Sequence, residues 1–263
     1  MDTELKSKII KAVTPIKGKS VIVAFSGGVD STVVAKIIKK ECKLIKLVTV
    51  TSKWISAQEL DEASDVAQKL DITHQLLPVE IQKNHIFWKN PPDRCYHCKL
   101  LIFSQLKQLA DDDGYDLVVD GTNSSDTSGH RPGLKALEKL MIYSPLLSGN
   151  ITKGEVRKIA AFYDLPVAQK PAMACLASRI PYGERISNDN LERVEKAESL
   201  LRTLSLGTHL RVRDHGNLAR IELAAFPDLD QNDLAHIVEK LKSLGYRYVT
   251  LDLEGYRPIT PDE

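Results

Sequence analysis

The chain has 263 residues, room for one α/β domain and a smaller second one. Hydrophobic residues make up 43% and charged residues 27%, and 36 Lys and Arg stand against 35 Asp and Glu. The resulting formal net charge of +1 leaves no global excess that would mark the chain for nucleic acid or a membrane surface. No apolar run approaches the ~20 residues of a spanning helix, MDTELKSKII lacks the apolar core of a signal peptide, and four cysteines are too few for a disulfide framework. The expectation is a soluble cytoplasmic protein with reduced thiols.

Residues 1–17 predict a helix, and VIVAF within Lys19–Phe25 predicts a short buried strand. The loop SGGVDST follows, then a helix to about Lys40 and a second strand from Leu44 to Val50. Ser56 and Glu59 read as a capping box opening a helix that ends near Leu70. A third strand covers about His74–Val79. Asn90-Pro91-Pro92-Asp93 breaks the chain before a helix from about Asp93 to Ala110. A fourth strand, Leu117–Asp120, runs into Gly121-Thr122-Asn123. Thr152 and Glu155 form a second capping box for a helix over 151–163. Alternating strands and helices predict a doubly wound parallel sheet, whose ligands bind at the carboxyl ends of the strands. The pattern then changes. A long helix (about Asp189–Leu204), a hairpin (HLRVR-DHGN-LARIEL), a helix (about 229–244) and a strand (Tyr246–Leu253) predict a smaller α+β domain. The expected division is 1–180 and 181–263.

Two glycines between a strand and a helix let backbone amides approach an anion closely. In Ser26-Gly27-Gly28-Val29-Asp30-Ser31-Thr32, the hydroxyls of Ser26, Ser31 and Thr32 add donors, and Asp30 can hold a magnesium ion beside phosphate oxygens. The loop lacks the lysine of GxxxxGK[ST] and the pattern GxGxxG. SGGVDS resembles the loop of the N-type ATP pyrophosphatases, which implies cleavage of ATP between its α and β phosphates. Gly121 leaves the fourth strand at the same edge as the loop. Asp126, after the GTN segment, would lie near the nucleotide phosphates or their metal, as related pyrophosphatases imply. Thr51, just beyond the second strand, would lie by the adenosine.

Cys95 and Cys98 form a CxxC at a helix start, where i, i+3 spacing puts both sulfurs on one face. The helix N-terminus with Arg94 and Lys99 favours thiolate. Cys175 stands far off in ACLASR. Three thiols suggest a metal centre with one open position, and both an iron–sulfur cubane and a zinc scheme using His97 fit that count. Cys42, at the edge opposite the expected site, reads as structural. In the hairpin, Leu210, Val212, Ala219 and Ile221 alternate with Arg211, Arg213, Arg220 and Glu222. A four-residue turn at Asp214–Asn217 would set Arg211 opposite Arg220. Facing arginines call for an anion, such as a phosphate or carboxylate, between or near them.

The stretches NPPDRCYHCK, DGTNSSD with HRPGLKAL, SPLL with TKGEVRKIA, KPAMACLASRIPYG and RVRDHGNLARIEL resemble the LarE-type sulfur transferases. These are pyridinium-3,5-biscarboxylic acid mononucleotide sulfurtransferases of nickel-pincer cofactor synthesis. The resemblance runs from about Ser26 to Tyr256. It implies an adenine nucleotide alpha hydrolase-like fold, ATP and Mg2+ as cofactors, a small-molecule nucleotide substrate and a homo-oligomer. It also implies a reaction: ATP adenylates a substrate carboxylate, pyrophosphate leaves, and sulfur displaces AMP to give a thiocarboxylate. Some members sacrifice the sulfur of the cysteine matching Cys175 and lack the CxxC. This chain has the CxxC, which implies the subgroup with a [4Fe-4S] cluster on Cys95, Cys98 and Cys175 that passes on a bound sulfide. A sacrificial Cys175 is the second choice. Ser178, Arg179, Arg211 and Arg213 fall on the substrate side, and Glu222 either holds a divalent metal or faces the sulfur-transfer centre. A tRNA-thiolating enzyme with the same loop is the runner-up, although nucleic acid is not the expected partner. A non-catalytic nucleotide-binding regulator and an amidating enzyme are further rivals.

Overall fold

A computed structural model describes residues 1–127, 131–171, 174–204, 206–207, 209–225 and 228–256. It divides into two units, Met1–Glu80 with Asp93–Met173, and Ile81–Pro92 with Ala174–Glu263. No helix among the described residues is long and apolar enough to cross a membrane.

The first unit begins with α1 (Thr3–Val13), shorter than the predicted helix because Pro15 turns its end into a 3-10 turn at Thr14–Ile16. Then follow β1 (Ser20–Ala24), α2 (Val29–Ile38), β2 (Leu44–Thr51), α3 (Ala57–Leu70) and β3 (His74–Pro78). After the excursion into the second unit come α4 (Arg94–Asp113), β4 (Leu117–Val119), α5 (Pro132–Lys139), α6 (Pro145–Ser148) and α7 (Lys153–Phe162). The strands form one parallel sheet in the order β3-β2-β1-β4. Side chains alternate across it, as the strand period requires. Val21, Val23 and Leu47 pack with α1, α2, α3 and α7, whereas Ile22, Val48 and Val118 pack with Phe103, Leu106 and Ala110 of α4 and Leu137 of α5. The sheet is therefore covered on both faces, as the apolar runs in its strands demand.

Chain order runs outward from β1 to β3 and then returns to β4 on the other side of β1. This reversal makes a topological switch point between β1 and β4, where open α/β sheets bind ligands. Both segments singled out by sequence, Ser26–Thr32 after β1 and Gly121–Asn123 after β4, leave the sheet there.

The second unit contains α8 (Asn188–Thr203), β5 (Leu210–His215), β6 (Leu218–Leu223), α9 (Gln231–Ser243) and β7 (Tyr248–Leu251). β5 and β6 are antiparallel, and β7 joins β6 in parallel. The apolar face of the hairpin, Leu210, Val212, Ala219, Ile221 and Leu223, packs with Ala197 and Leu201 of α8 and Ile237 and Leu241 of α9. The segment Ile81–Pro92 belongs here through Asn90, whose Nδ2 donates to the carbonyls of Ile180 at 3.1 Å and Pro181 at 2.7 Å.

The hairpin register differs from the predicted one. The turn has two residues, Gly216 and Asn217, because Asp214 and His215 continue the strand and pair with Ala219 and Leu218. Gly216 takes φ 70°, the positive angle that tight hairpin turns need. Arg213 consequently faces Arg220, and Arg211 faces Glu222, not Arg220. Asp214 stays in the strand because Arg193 Nε and Nη2 donate to its carboxylate at 2.9 Å each and Tyr246 Oη donates to Oδ2 at 3.1 Å.

Candidate active site

In the first unit, Gly28 is the N-cap of α2 and puts the first backbone amides of that helix at the sheet's carboxyl edge. Gly27 has φ +64°, and a Cβ there would lie 2.6 Å from Ala63 Cα of α3. Gly121 packs as tightly from the other side, since its Cβ would lie 2.9 Å from Ser31 N. Neither position accepts a side chain without moving backbone. Among the described residues, the hydroxyls of Ser26 and Ser31 are held by long bonds within the loop. Ser26 Oγ and Ser31 Oγ are 3.3 Å apart, the Gly28 amide donates to Ser26 Oγ at 3.4 Å, and Ser31 Oγ donates to the Gly28 carbonyl at 3.2 Å. Bonds this long are weak and are readily exchanged for phosphate oxygens. Thr32 is fully buried, and its Oγ1 and that of Ser124 (Oγ) have no hydrogen-bond partner among the described residues.

Asp30 sits between two donors. Asn123 Nδ2 donates to its Oδ1 at 3.1 Å, and Lys153 Nζ pairs with its Oδ2. Asn123 is itself fixed, because its Nδ2 also donates to Asp126 Oδ2 at 2.8 Å and its Oδ1 accepts from the Ser125 amide at 2.9 Å. Asp126 therefore orients Asn123, and its other oxygen lies 3.3 Å from Arg131 Nη2. Lys153 is the first residue of α7, between Thr152 and Glu155 of the capping box, and its amide donates to Ser125 Oγ at 3.0 Å. A second lysine, Lys170, donates to the Gly27 carbonyl at 3.1 Å and pairs with Glu62 at 2.7 Å. Thr51 ends β2 at the same edge, where its carbonyl accepts from the Val79 amide at 2.9 Å.

Cys95 and Cys98 lie in the first two turns of α4, Cys95 exposed and Cys98 half-buried. His97 turns to Asp93, with Nε2 3.1 Å from Oδ2. Cys42 is half-buried against the core beside α2, and burial with Glu41 nearby pushes its thiol up to about 11, which fits a structural role.

In the second unit, Cys175 is the half-buried N-cap of a 3-10 turn, Leu176–Arg179. Arg179, 3% exposed, donates from Nη1 to the carbonyls of Ala174 at 2.6 Å and Cys175 at 3.2 Å, and to Ser178 Oγ at 3.1 Å. Its Nε and Nη2 grip Glu198 at 2.7 and 3.0 Å. Arg213 repeats the arrangement. Its Nε and Nη2 hold Glu222 at 2.8 and 3.1 Å, and Nη1 donates to the Ser178 carbonyl at 2.8 Å. Glu222 is fully buried with both oxygens on Arg213, and its Oε1 also lies 3.6 Å from Arg220 Nη2. Arg211 lies over the Tyr256 ring, 4.3 Å from its centroid. Burial lowers the Arg211 pKa from its usual value, and Arg179 and Arg213 push it the same way. Among the described residues, Arg179, Arg211 and Arg213 are thus gathered beside Glu198 and Glu222, a cluster of guanidinium donors suited to an anion.

Sequence reading brought out the loop, the cysteines and the hairpin arginines but missed Lys153, Lys170 and Glu198, and gave Asn123 no role. Glu198 carried a usable signal. It lies on the stripe Leu191, Val194, Ala197, Leu201 that α8 buries, and a carboxylate on an apolar stripe needs a cation. His130, Ala172 and Met173, within the resembling stretches, lie outside the described residues. Among the described residues, no group of three His, Cys, Asp or Glu is placed to hold a metal ion.

The chain is similar to several known proteins and to one family model. The model for queuosine biosynthesis protein QueC matches residues 20–87, which include the phosphate loop. An uncharacterized protein of Synechocystis sp. is 40% identical over 242 residues, covering 90% of this chain and 89% of that protein. The pyridinium-3,5-bisthiocarboxylic acid mononucleotide synthase of Lactiplantibacillus plantarum is 37% identical over 242 residues, 90% of this chain and 87% of that enzyme. The tRNA-specific 2-thiouridylase MnmA of Brucella canis is 28% identical over 196 residues, 59% of this chain and 49% of that enzyme.

Proposed function

The chain belongs to the LarE-type family of ATP-dependent sulfur transferases, and on that premise we propose that it exchanges oxygen for sulfur in a carboxylate of a pyridinium mononucleotide. A carboxylate oxygen of the substrate attacks the α-phosphorus of ATP, the bond to the bridging oxygen breaks, and pyrophosphate leaves. A sulfur nucleophile then attacks the acyl carbon, and AMP departs with the original oxygen. The loop amides and the hydroxyls of Ser26 and Ser31 receive the pyrophosphate. Asp30, a carboxylate at the phosphate loop, fits a magnesium ion, because Mg2+ is commonly held by one or two carboxylates plus substrate phosphates. When bound, that ion would neutralise phosphate charge. Thr51 faces the adenosine side, and Asn123 and Asp126 keep Asp30 aimed.

Arg179, Arg211 and Arg213 with Ser178 bind the anionic groups of the mononucleotide. Glu198 and Glu222 hold two of these guanidinium groups in place. The clustering of three buried guanidinium groups beside the Cys175 peptide is the observation that carries this reading.

For the sulfur, we favour a [4Fe-4S] cluster on Cys95, Cys98 and Cys175, which would supply a bound sulfide. The exposure of Cys95 and the one-turn spacing of the CxxC support it. Cys175 as sacrificial donor is the alternative, its Cβ–S bond breaking as the α-proton is lost to leave dehydroalanine. Thiolation of tRNA draws support from the thiouridylase match, which spans about half of that enzyme.

Pyrophosphate release separates these readings. Stimulation by pyridinium-3,5-biscarboxylic acid mononucleotide supports the proposal. Stimulation by tRNA alone overturns it.

A further inference from the structure

The phosphate loop has no lysine of its own, yet the structure brings one to it. Lys153 is 123 residues from Asp30 in sequence, and its ammonium lies on Asp30 Oδ2. Its backbone is anchored twice, by the Thr152–Glu155 capping box of α7 and by the bond from its amide to Ser125 Oγ at 3.0 Å. Its side chain is not sealed in: Lys153 is 32% exposed and Asp30 26%. An ion pair this open is weak, so opening it costs little. The other oxygen of Asp30 is committed to Asn123, which Asp126 and Ser125 immobilise. An incoming cation must therefore contend with Lys153 for Oδ2, since two positive charges on one oxygen repel.

We propose that Lys153 is the phosphate-binding lysine of this loop and that it exchanges partners during the reaction. Resting on the ATP-dependent reading above, the proposal has the ammonium neutralise Asp30 until a metal-bound nucleotide arrives. Asp30 would then hold the metal ion, and the Lys153 ammonium passes to a phosphate oxygen, which its flexible four-carbon stem permits. Release of pyrophosphate returns it. The loop thereby keeps its acidic residue compensated at every stage, and bare metal is held off Asp30 when no nucleotide accompanies it. Lys170, on the other side of the loop, is engaged with Glu62 and the Gly27 carbonyl and does not compete for Asp30.

The test uses the full chain and two equilibrium affinities, with Lys153→Met and Lys153→Gln made in parallel. Mn2+ alone, followed by electron paramagnetic resonance, should bind the variants at least about threefold more tightly than wild type, because a competing cation is gone. ATP with Mg2+, followed by calorimetry, should bind them about tenfold more weakly, because a charged phosphate contact is lost. Thermal unfolding without ligand should shift little. Unchanged or weaker Mn2+ binding, or unchanged ATP binding, overturns the proposal. So does loss of the fold in both variants, which would make Lys153 structural. A wild-type chain that binds no ATP contradicts the functional reading itself, whereas equal ATP binding by all three proteins contradicts only the role of Lys153.

Discussion

Asp30 carries more of the account than any other residue. It is held on one side by Asn123 and on the other by Lys153, at the first turn of α2. Asp30→Asn keeps the shape and removes the charge, so pyrophosphate release should fall by at least about 100-fold while circular dichroism stays unchanged. Unchanged release would remove Asp30 from the mechanism. Gly27 makes a steric argument instead. Alanine there would meet Ala63 Cα at 2.6 Å in a left-handed backbone, so Gly27→Ala should destabilise the protein by more than about 1 kcal/mol and weaken ATP binding. Denaturant unfolding and calorimetry check the two halves. Glu198 is a third case: 1% exposed, it binds Arg179, Arg202 and the Val212 amide. Glu198→Gln leaves a buried guanidinium uncompensated and should cost about 3–5 kcal/mol in denaturant unfolding. A loss well under 1 kcal/mol would show that the pair is not what holds Arg179.

At the scale of elements, β3 gives the protein a dependence on pH. Burial lowers the His74 pKa below 6.5, and Nε2 lies 2.8 Å from Thr49 Oγ1 of β2. A histidine with a depressed folded-state value binds protons more readily when unfolded. Its contribution is therefore present above pH 6.5 and is lost as pH falls through the folded-state value. His215 of β5 acts in the same direction, lowered by burial and then by Arg220. Thermal melts from about pH 7.5 to 5 should show Tm falling, and His74→Gln should flatten that slope. An unchanged slope would assign the pH dependence to other groups. The first turns of α4 give a second test. If the CxxC serves a cluster, Cys95→Ser and Cys98→Ser should each abolish multiple turnover and lower the iron bound after anaerobic reconstitution. Full activity in both would reduce the pair to a structural detail. The elements also show where sequence reading reaches its limit. VIVAF, LIKLVTVT and the loop SGGVDST could be read locally because a buried parallel strand and a glycine turn each carry a local signature. The register of β5 with β6 could not. Asp214 stays in the strand only because Arg193 of α8 and Tyr246 beyond α9 satisfy its carboxylate. The helices α5 and α6 were missed as elements because they are short, with eight and four residues, and prolines open both.

Over the whole molecule, alternation of strands and helices was enough to give a doubly wound sheet and a smaller mixed unit. The order β3-β2-β1-β4 then places the phosphate loop at the switch point. What the pattern could not supply were contacts between distant segments. Asn90 reaches Ile180 across 90 residues and Lys153 reaches Asp30 across 123, and no local periodicity encodes either. These contacts bring the sets together: loop, Asn123 and Lys153 in one unit, and the arginine cluster around Cys175 in the other. The central claim is oxygen-for-sulfur exchange on a pyridinium mononucleotide driven by ATP. It is tested most directly by incubating the anaerobically prepared, reconstituted protein with ATP, Mg2+, sulfide and pyridinium-3,5-biscarboxylic acid mononucleotide, and weighing the nucleotide by mass spectrometry. The account predicts a product in which one oxygen has been replaced by sulfur, formed only with ATP and accompanied by AMP and pyrophosphate. An unaltered mononucleotide under conditions where the same protein thiolates tRNA would contradict it.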